Sequence, residues 1–362
     1  MTNQIDTQPP GRRLRAVLLP PFPWQPERDG WKPGTAPDPL ELDRRLAAQG
    51  IDLVLLDPGE RPWNPLAGGH SLMQSLDPLR ALRVLTAWRD VDVAISVFEG
   101  SALPLELLRT LFLFRVPVVV WDLGLTDGWK LRERILDRVV PRAAGLFVLS
   151  DNQRSYIAER WGRSAGVEVI GHRVDTEFFL PAPPAPAGYI LSVGEDAGRD
   201  FDCLIDVAPQ IDADILLKTR RIPEDRVLPP RVKTIRQRIG YPELRDLYAQ
   251  SRFVVVPLHE TINASGVSIV LEASAMGRGM IVSDTAAMRD FIVPNETCLT
   301  VPSGDRAALA AAIQRLIGEP ETCARLGAGA RRFIEERCSD AAFADRFATV
   351  LRRYARRRRG DA

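Results

Sequence analysis

Short runs of β-branched and aliphatic residues alternate with stretches of helical periodicity along the chain, and this alternation constrains the fold more than any other feature. The runs lack the polar positions of a strand with one face in water, which is typical of strands buried on both faces of a sheet. Parallel strands joined by helices produce such a pattern. In the first half, strands are predicted at 15–20, 51–57, 91–97, 116–121, 145–150 and 167–171.

A proline-rich segment, PAPPAPAG at 181–188, interrupts the alternation, which then resumes. Its prolines fix φ and remove amide donors, so we predict a stiff, extended linker. Beyond it, strands are predicted at 189–194, 213–219, 252–258 and 279–284. Helices are predicted at 39–50, 77–90, 131–144, 305–318 and 320–337.

The length of 362 residues also favours two domains, because one hydrophobic core rarely grows so large. We predict doubly wound α/β domains at 1–180 and 189–340, joined by the linker. For the last segment, 341–362, we consider a helix that packs back on the first domain. Its arginine-rich end, RRYARRRR at 352–359, is a candidate for peripheral contact with anionic lipid, although a solvated helix end is the simpler interpretation.

Composition excludes several classes of protein. The net charge is +1, so no nucleic-acid partner is expected. Four cysteines without a C-x-x-C pair and three histidines provide neither a zinc site nor a disulfide framework. The N-terminus lacks the apolar run of a signal peptide, and charged residues interrupt the apolar window at 103–121. We therefore expect a cytoplasmic protein without a bound metal.

The stretch NASGVSIVLEASAMG at 263–277 holds the first candidate site. It follows a predicted strand and opens a predicted helix, so it lies at the edge of the sheet where ligands of open α/β folds bind. Ser265 and Gly266 are small enough for a ligand to approach the backbone, and the helix that starts near Val267 has unpaired amides in its first turn. Phosphate is the ligand that this arrangement suits best.

One turn further along the same helix face, Glu272 follows Ser268 by four residues. A carboxylate repels phosphate, but it accepts two hydrogen bonds from a vicinal diol such as that of a ribose. A nucleoside diphosphate therefore suits both parts of the stretch. The alternative is a solvated Glu272 that complements the helix dipole, and the apolar neighbours of this residue argue against it.

A second candidate lies in YILSVGEDAGRDFDCLIDVA at 189–208. The predicted strand ends at Gly194, and the loop that follows carries Arg199, a cation placed to meet an anion. An ion pair of Arg199 with Asp200 or Asp202 would explain the residue equally well. The dinucleotide fingerprint and the P-loop motif do not occur in the sequence.

These stretches resemble the nucleotide-sugar domain of the retaining glycosyltransferases of family 4, which have the two-domain GT-B fold. Five segments match in order over about residues 90–345: VEVIGHRVDTEFFLP, SVGEDAGRDFDCLIDVA, YPELRDLYAQSRFVVVPL, ASGVSIVLEASAMGRGMIVSD and CLTVPSGDRAALAAAIQRLI. The resemblance implies sugar transfer from a nucleotide-sugar co-substrate, with retention at the anomeric carbon and with neither metal nor other cofactor. The acceptor would be a glycan, a lipid-linked group or a small molecule.

The resemblance also implies roles for individual residues. Arg199 would contact the diphosphate, the backbone at 265–267 would cradle it, and Glu272 would hold the ribose. Lys218 is a second cationic candidate, with a solvated strand end as its alternative. The chain departs from the family pattern at Ala264, where the first acid of a glutamate pair is expected, and at Glu195, which replaces an arginine. Glu260 is a candidate substitute for that first acid.

Two further departures fall in the first domain. Trp121 and Asp122 replace the His-Asp pair of the family, which makes Asp122 a catalytic candidate and Trp121 a candidate for stacking on a sugar. Packing in the core is the alternative for Trp121 and the commoner fate of this residue type. The segment at 19–34 replaces a glycine-rich acceptor loop and contributes Trp24 and Trp31 as further stacking candidates.

Three functions are consistent with this sequence. The first is a glycosyltransferase whose site is the cleft between the domains. The second is a glycosyltransferase-like protein that binds a nucleotide sugar or a partner without turnover, as the missing acid at Ala264 and the reversed charge at Glu195 would allow. The third is another enzyme of this architecture, such as a nucleotide-sugar epimerase, for which the cleft offers few histidines and acids.

Overall fold

Two parallel six-stranded sheets, one in each half of the chain, organise the protein. The structure is a computed structural model, and it describes residues 12–60, 64, 71–87, 90–111, 115–125, 129–183 and 185–356. Each sheet has helices on both faces, so the protein is a two-domain α/β fold with two separate sheet cores.

The first sheet has the strand order β2-β1-β3-β4-β5-β6. Its strands are β1 (Leu14–Leu19), β2 (Ile51–Leu55), β3 (Val93–Val97), β4 (Val118–Trp121), β5 (Gly145–Val148) and β6 (Val167–Val169). Its helices are α1 (Gln25–Gly30), α2 (Glu41–Ala48), α3 (Ser71–Ser75), α4 (Pro78–Ala87), α5 (Ala102–Thr110), α6 (Lys130–Val139) and α7 (Asp151–Trp161). All side chains of β3 are buried, as expected for a central strand between two helical layers.

The second sheet has the order β12-β11-β10-β7-β8-β9. Its strands are β7 (Ile190–Val193), β8 (Ile215–Lys218), β9 (Val232–Ile235), β10 (Phe253–Val256), β11 (Met280–Asp284) and β12 (Leu299–Pro302). The helices are α8 (Phe201–Val207), α9 (Tyr241–Gln250), α10 (Val267–Ala275), α11 (Arg306–Gly318), α12 (Pro320–Arg337) and α13 (Asp340–Tyr354). The strand order reverses direction between β7 and β10, and such a switch point opens a crevice at the carboxyl ends of these strands.

Every predicted strand overlaps a strand of the structure, but β9 and β12 were not predicted as strands. Both lie at an edge of the second sheet. Their segments, VKTI and LTVP, include polar residues or proline, which an edge position tolerates because one side of the strand has no partner.

The last helix, α13, packs on the first sheet rather than on the second. Phe343 and Phe347 are buried against this sheet, and the Phe347 ring meets that of Phe147 on β5 at a centroid distance of 5.8 Å. The chain thus returns to the first sheet after completing the second. Where it returns, Val174 N donates to Cys338 O over 2.9 Å, so the two connecting segments run side by side.

The proline-rich linker is attached to the second half of the protein. The buried guanidinium of Arg278 donates to the carbonyl oxygens of Ala182 and Pro183. Within the described residues, no helix is both long enough and apolar enough to span a membrane.

Candidate functional site

The carboxyl ends of strands from both sheets border a large cavity of about 1650 Å³. The second half contributes the loop at 194–199 and the segment at 260–269, while the first half contributes Leu125, Leu149 and one face of α7. A smaller cavity of about 660 Å³ adjoins it, lined by residues that include Trp31, His172 and Glu272. Ser268 lines both cavities, so a ligand longer than either one could pass along this residue.

The helix α10 begins at the junction of the two cavities. Its N-cap is Gly266, whose φ of 88° lies in the left-handed region that glycine adopts at little cost. No side chain caps this helix, so the amides of Ser268 and Ile269 in its first turn have no intrahelical acceptor and face the cavity end of the helix. An anion placed here would gain these hydrogen bonds and the favourable end of the helix dipole.

Arg199 lies directly against this helix start. Its side chain is only 3% exposed, and its Nε donates to Asp196 Oδ2 over 2.9 Å. Among the described residues its Nη1 atom is buried without a hydrogen-bond partner, and a Cβ atom built on Gly266 would lie 2.7 Å from it. A buried donor without a partner costs free energy of folding. This atom is therefore available to an acceptor atom of a ligand.

The alternative ion pairs of Arg199 are not formed. Asp200 caps α8 by accepting from Cys203 N over 3.0 Å, and Asp202 pairs with Arg226. Arg199 instead pairs with Asp196, which lies in the same loop. This arrangement fixes the guanidinium in the cleft and leaves one of its donors for a ligand.

Lys218, the second cationic candidate, is buried and paired with an acid. It lies at the end of β8, is 7% exposed, and donates from Nζ to Glu195 Oε1 over 3.0 Å. Burial alone would raise the pKa of Glu195, but hydrogen bonds from the Arg220 amide and from Lys218 outweigh it and the pKa is lowered. The ionised Glu195 therefore neutralises Lys218, which is outside the lining of both cavities. Lys218 is therefore not a solvated strand end, whereas its role as a diphosphate cation stays a prediction.

Glu272 lines the smaller cavity and is not a solvated surface residue. Its Oε2 accepts a hydrogen bond of 2.8 Å from the hydroxyl of the fully buried Tyr248. Burial raises the pKa of Glu272 to about 7, while the Tyr248 hydrogen bond and the positive charge of Arg199 oppose this shift. Within the described part of the chain, Oε1 has no hydrogen-bond partner and is available to a ligand.

The remaining candidates of the second half lie in the large cavity. Gly194, Ser265, Gly266, Val267 and Ser268 all line it, together with Glu260. Glu260 Oε1 accepts from Ala286 N over 3.0 Å, which holds the carboxylate at the cavity wall. Ala264 also lines the cavity, and its methyl side chain provides no carboxylate there.

Solved structures share this architecture. Sucrose-phosphate synthase from Thermosynechococcus elongatus superimposes with a TM-score of 0.70 at 20% identity, over 94% of this chain and 99% of the other. The Anabaena protein HepE, in complex with UDP-glucose, does so with a TM-score of 0.68 at 12% identity, over 94% and 100%. The fold is GT-B.

Sequence comparison agrees with the fold. Residues 199–319 match the family model described as glycosyl transferases group 1. A GDP-mannose-dependent alpha-(1-6)-phosphatidylinositol monomannoside mannosyltransferase from Mycolicibacterium smegmatis is 25% identical over 271 residues, which span 66% of this chain and 71% of that protein. These findings support a glycosyltransferase with a nucleotide-sugar donor.

The three tryptophan candidates have different places in this GT-B structure. Trp121 packs on Phe343 and Phe347, with ring centroids 5.9 and 5.1 Å away, because α13 covers that face of the sheet. Trp24 packs against the same core. Neither lines the two cavities, and the packing of Trp121 is the core position that was the alternative to sugar stacking. Stacking of either ring on a sugar stays a prediction. Trp31 lines the smaller cavity with Glu272, on the side expected for the nucleoside rather than for the acceptor.

Asp122 lies at the end of β4 with a φ of 59°, which is strained for a residue other than glycine. Burial, and then the charge of the neighbouring Glu99, raises the pKa of Asp122 to about 7, although Arg132 opposes the shift. The fully buried Glu99 pairs with Arg132. This cluster is outside the lining of both cavities, so the structure does not bring Asp122 together with Arg199.

The sequence did not single out the wall of the large cavity that belongs to the first domain. This wall is one face of α7 and consists of polar side chains: Asp151, Asn152, Ser155, Tyr156 and Glu159. Its position could have been inferred, because α7 directly follows the carboxyl end of β5 and ligands bind at this edge of a sheet. No group of three or more metal-ligating side chains is found among the described residues.

The arginine-rich tail is only partly described. Arg352 donates to Gln49 O over 2.6 Å, and Arg353 pairs with Glu168. Residues 357–359 lie outside the described residues, so contact of this tail with anionic lipid stays a prediction.

Proposed function

We propose that the protein is a retaining glycosyltransferase that moves a sugar from a nucleotide-diphosphate donor to an acceptor bound in the cleft, without a metal ion. One observation carries the proposal: the buried and unpartnered Nη1 of Arg199 lies against the uncapped start of α10. Together they offer a guanidinium donor and backbone amides to one anionic group, which is the recognition that a diphosphate requires.

In this proposal, the nucleotide-sugar donor occupies both cavities. The diphosphate lies at the start of α10 in the large cavity, and the chain of the ligand passes Ser268 into the smaller cavity, where Glu272 Oε1 accepts from the ribose diol. Trp31 and Tyr241 border the same space and offer flat surfaces to the base. The relative from M. smegmatis is named for its use of GDP-mannose, and HepE holds UDP-glucose, which supports a nucleotide sugar as the donor class.

Catalysis in this proposal depends on charge stabilisation. As the bond to the anomeric carbon breaks, negative charge grows on the diphosphate, and Arg199 with the α10 amides is already oriented toward it. The acceptor lies on the wall formed by α7, whose hydroxyl, amide and carboxylate groups suit a polyhydroxylated molecule. A glycan, a lipid-linked group and a small molecule all present such hydroxyls.

A second candidate function is nucleotide-sugar binding without turnover. Ala264 provides no acid to the transferred sugar, and the cations Arg199 and Lys218 are already paired with Asp196 and Glu195. Thermal-shift screening against UDP, GDP, ADP and their sugars tests both functions, when it is followed by a hydrolysis assay with the sugar that binds. Turnover supports the enzyme, whereas tight binding without any release of sugar supports the second candidate.

Replacing Glu272 by glutamine is expected to weaken nucleotide binding by about 1–3 kcal/mol, the cost of a hydrogen bond to a charged and partly buried group. Glutamine keeps an acceptor for the Tyr248 hydroxyl, so the fold should be preserved. Titration calorimetry measures the affinity, and the exposed Glu321→Gln provides the control. Unchanged affinity in the folded Glu272→Gln protein would remove the ribose assignment.

The affinity for a nucleotide sugar is expected to rise with pH around pH 7. The pKa of Glu272 is about 7, and only its ionised form accepts two hydrogen bonds from a diol. One pH unit below this pKa, the affinity should therefore be about tenfold lower than at high pH, where Glu272 is fully ionised. A nucleotide sugar is the right ligand because its phosphates, unlike a terminal phosphate with a pKa of about 6, do not titrate in this window.

Tyr248→Phe provides the matched variant for the pH dependence. It removes a hydrogen bond that favours the ionised carboxylate, so the pKa of Glu272 should rise and the midpoint should move to higher pH. Calorimetry at several pH values with UDP-glucose and GDP-mannose measures the midpoint. A pH-independent affinity, or the same midpoint in Tyr248→Phe, would contradict the role of Glu272.

A further inference from the structure

A hydrogen-bonded bridge joins the two domains beside the start of α10. Asn263 Nδ2 donates to Leu125 O over 2.6 Å, and Asn263 Oδ1 accepts from Gln153 Nε2 over 3.1 Å. Gln153 is completely buried, and its own Oε1 accepts from Leu149 N over 2.9 Å. Asn263 therefore uses a donor and an acceptor in one short side chain to hold the loop after β4 and helix α7 of the first domain.

Two nearby contacts reinforce the bridge. Asn152 Nδ2 donates to Ile262 O over 2.8 Å, and Asp151 N donates to Asp290 Oδ2 over 2.6 Å. The first turn of α7, which is part of the polar wall of the large cavity, is thereby attached to the second domain. Of these residues, Asn263 is the one that contacts two separate segments of the first domain through its side chain.

The bridge is coupled to the proposed diphosphate site through very few bonds. Ser265 N donates to Asn263 O over 2.7 Å, and the Thr261 hydroxyl donates to the same oxygen over 2.8 Å. Gly266, the N-cap of α10, is the next residue after Ser265. Both bonds use the main-chain oxygen of Asn263, whereas the bridge uses its side chain, so truncating the side chain leaves the backbone that receives the phosphate in place.

We propose that Asn263 is a positioning residue that fixes the first domain relative to the start of α10 and so sets the distance between donor and acceptor. The second part of this statement rests on the proposed function. Asparagine suits the position because Leu125 O needs a donor and Gln153 Nε2 needs an acceptor. Aspartate has nearly the same shape, but it would place a second oxygen against Leu125 O and break one of the two contacts.

This role separates nucleotide binding from transfer. Asn263 contacts neither Arg199 nor Glu272, so its loss leaves the groups that hold a nucleotide in place. The α7 wall, in contrast, is no longer fixed against the donor, and a misplacement of about 1 Å costs on the order of a hundredfold in rate. Asn263→Asp and Asn263→Ala should therefore lower kcat at least tenfold, with the KM of the donor and the Kd of UDP or GDP within twofold.

The experiment combines a distance with kinetics. Spin labels at Leu131→Cys on α6 and Val227→Cys in the second domain report the separation of the domains, because both positions are exposed and the four native cysteines are buried. The distance distribution should be narrow in the parent protein and clearly broader in both Asn263 variants. Asn295→Asp, at an exposed position outside both cavities, is the matched control and should leave the distribution narrow.

Kinetics use GDP-mannose with phosphatidylinositol monomannoside and UDP-glucose with glucose as probe pairs, and the fraction of donor lost to water is measured in each. A broader distribution, a lower kcat and an increased share of hydrolysis, with unchanged nucleotide affinity, would support the proposal. An unchanged distribution in both variants, or an equal loss of affinity and rate, would overturn it. Absence of turnover in the parent protein would refute the proposed function instead, and the distances alone would then decide whether Asn263 fixes the domains.

Discussion

Replacing Arg199 by alanine is expected to lower the kcat of sugar transfer by about 10²–10³, the effect of removing one preorganised donor from a developing negative charge. The guanidinium is 3% exposed, and its Nη1 has no partner among the described residues. Water therefore cannot readily replace the guanidinium as a donor in the variant. The affinity for a nucleoside that lacks the diphosphate should change little. Steady-state kinetics and calorimetry with uridine and UDP separate the two effects.

Two further variants test whether the loss of rate is specific to the guanidinium at position 199. Arg289 also lines the large cavity, but its side chain is 69% exposed and pairs with Asp284, so Arg289→Ala should keep most of the rate. Arg199→Lys retains the charge and loses the planar fork, so an intermediate rate is expected. Equal kcat values for Arg199→Ala and the parent protein would eliminate its role at the leaving group.

Replacing Gly266 by alanine is expected to reduce the affinity for UDP and GDP at least tenfold. A Cβ atom at this position would lie 2.7 Å from Arg199 Nη1 and 3.1 Å from both Leu258 Cδ2 and Val256 Cγ1. It would also require a left-handed φ of a residue with a side chain, which costs about 1–2 kcal/mol. The methyl group would push the guanidinium away and occupy the space through which a phosphate approaches the amides.

Gly277→Ala, just beyond the other end of α10, provides the control. Gly277 has a φ of 66°, but the nearest atom to a Cβ there is Pro181 Cβ at 3.7 Å, so only the backbone cost applies. Both variants should lower the melting temperature, while only Gly266→Ala should weaken binding. If the two variants lost affinity equally, the effect would come from stability and not from the phosphate site.

The two sheets and the helix α10 were predictable because both depend on local signals. Central parallel strands must be apolar on both faces, and β10 and β11 are continuous apolar runs of this kind. The small residues before α10 and the single acid within it are visible without any tertiary information. The edge strands β9 and β12 escaped prediction because an edge position relaxes the requirement for apolar residues.

The partners of the charged residues could not be predicted. The loop after β7 offers Asp196, Asp200 and Asp202 to Arg199, and the choice among them depends on the path of a few backbone atoms. The bridge at Asn263 is still further from local signals, since it joins residues 138 positions apart. Such contacts form only when the two domains pack together. The sequence pattern that predicts each sheet does not indicate which residues of the two domains will be in contact.

The return of the chain to the first sheet has a mechanical consequence. Two connecting segments, joined by the Val174–Cys338 hydrogen bond, pass between the domains side by side and together form one hinge line. The smaller cavity is partly lined by His172 and Arg173 from this line, whereas the residues of the large cavity belong to other segments. Rotation about a line displaces atoms in proportion to their distance from it. With the donor bound as proposed, opening of the cleft would therefore release its sugar end while its nucleoside end stays nearly in place.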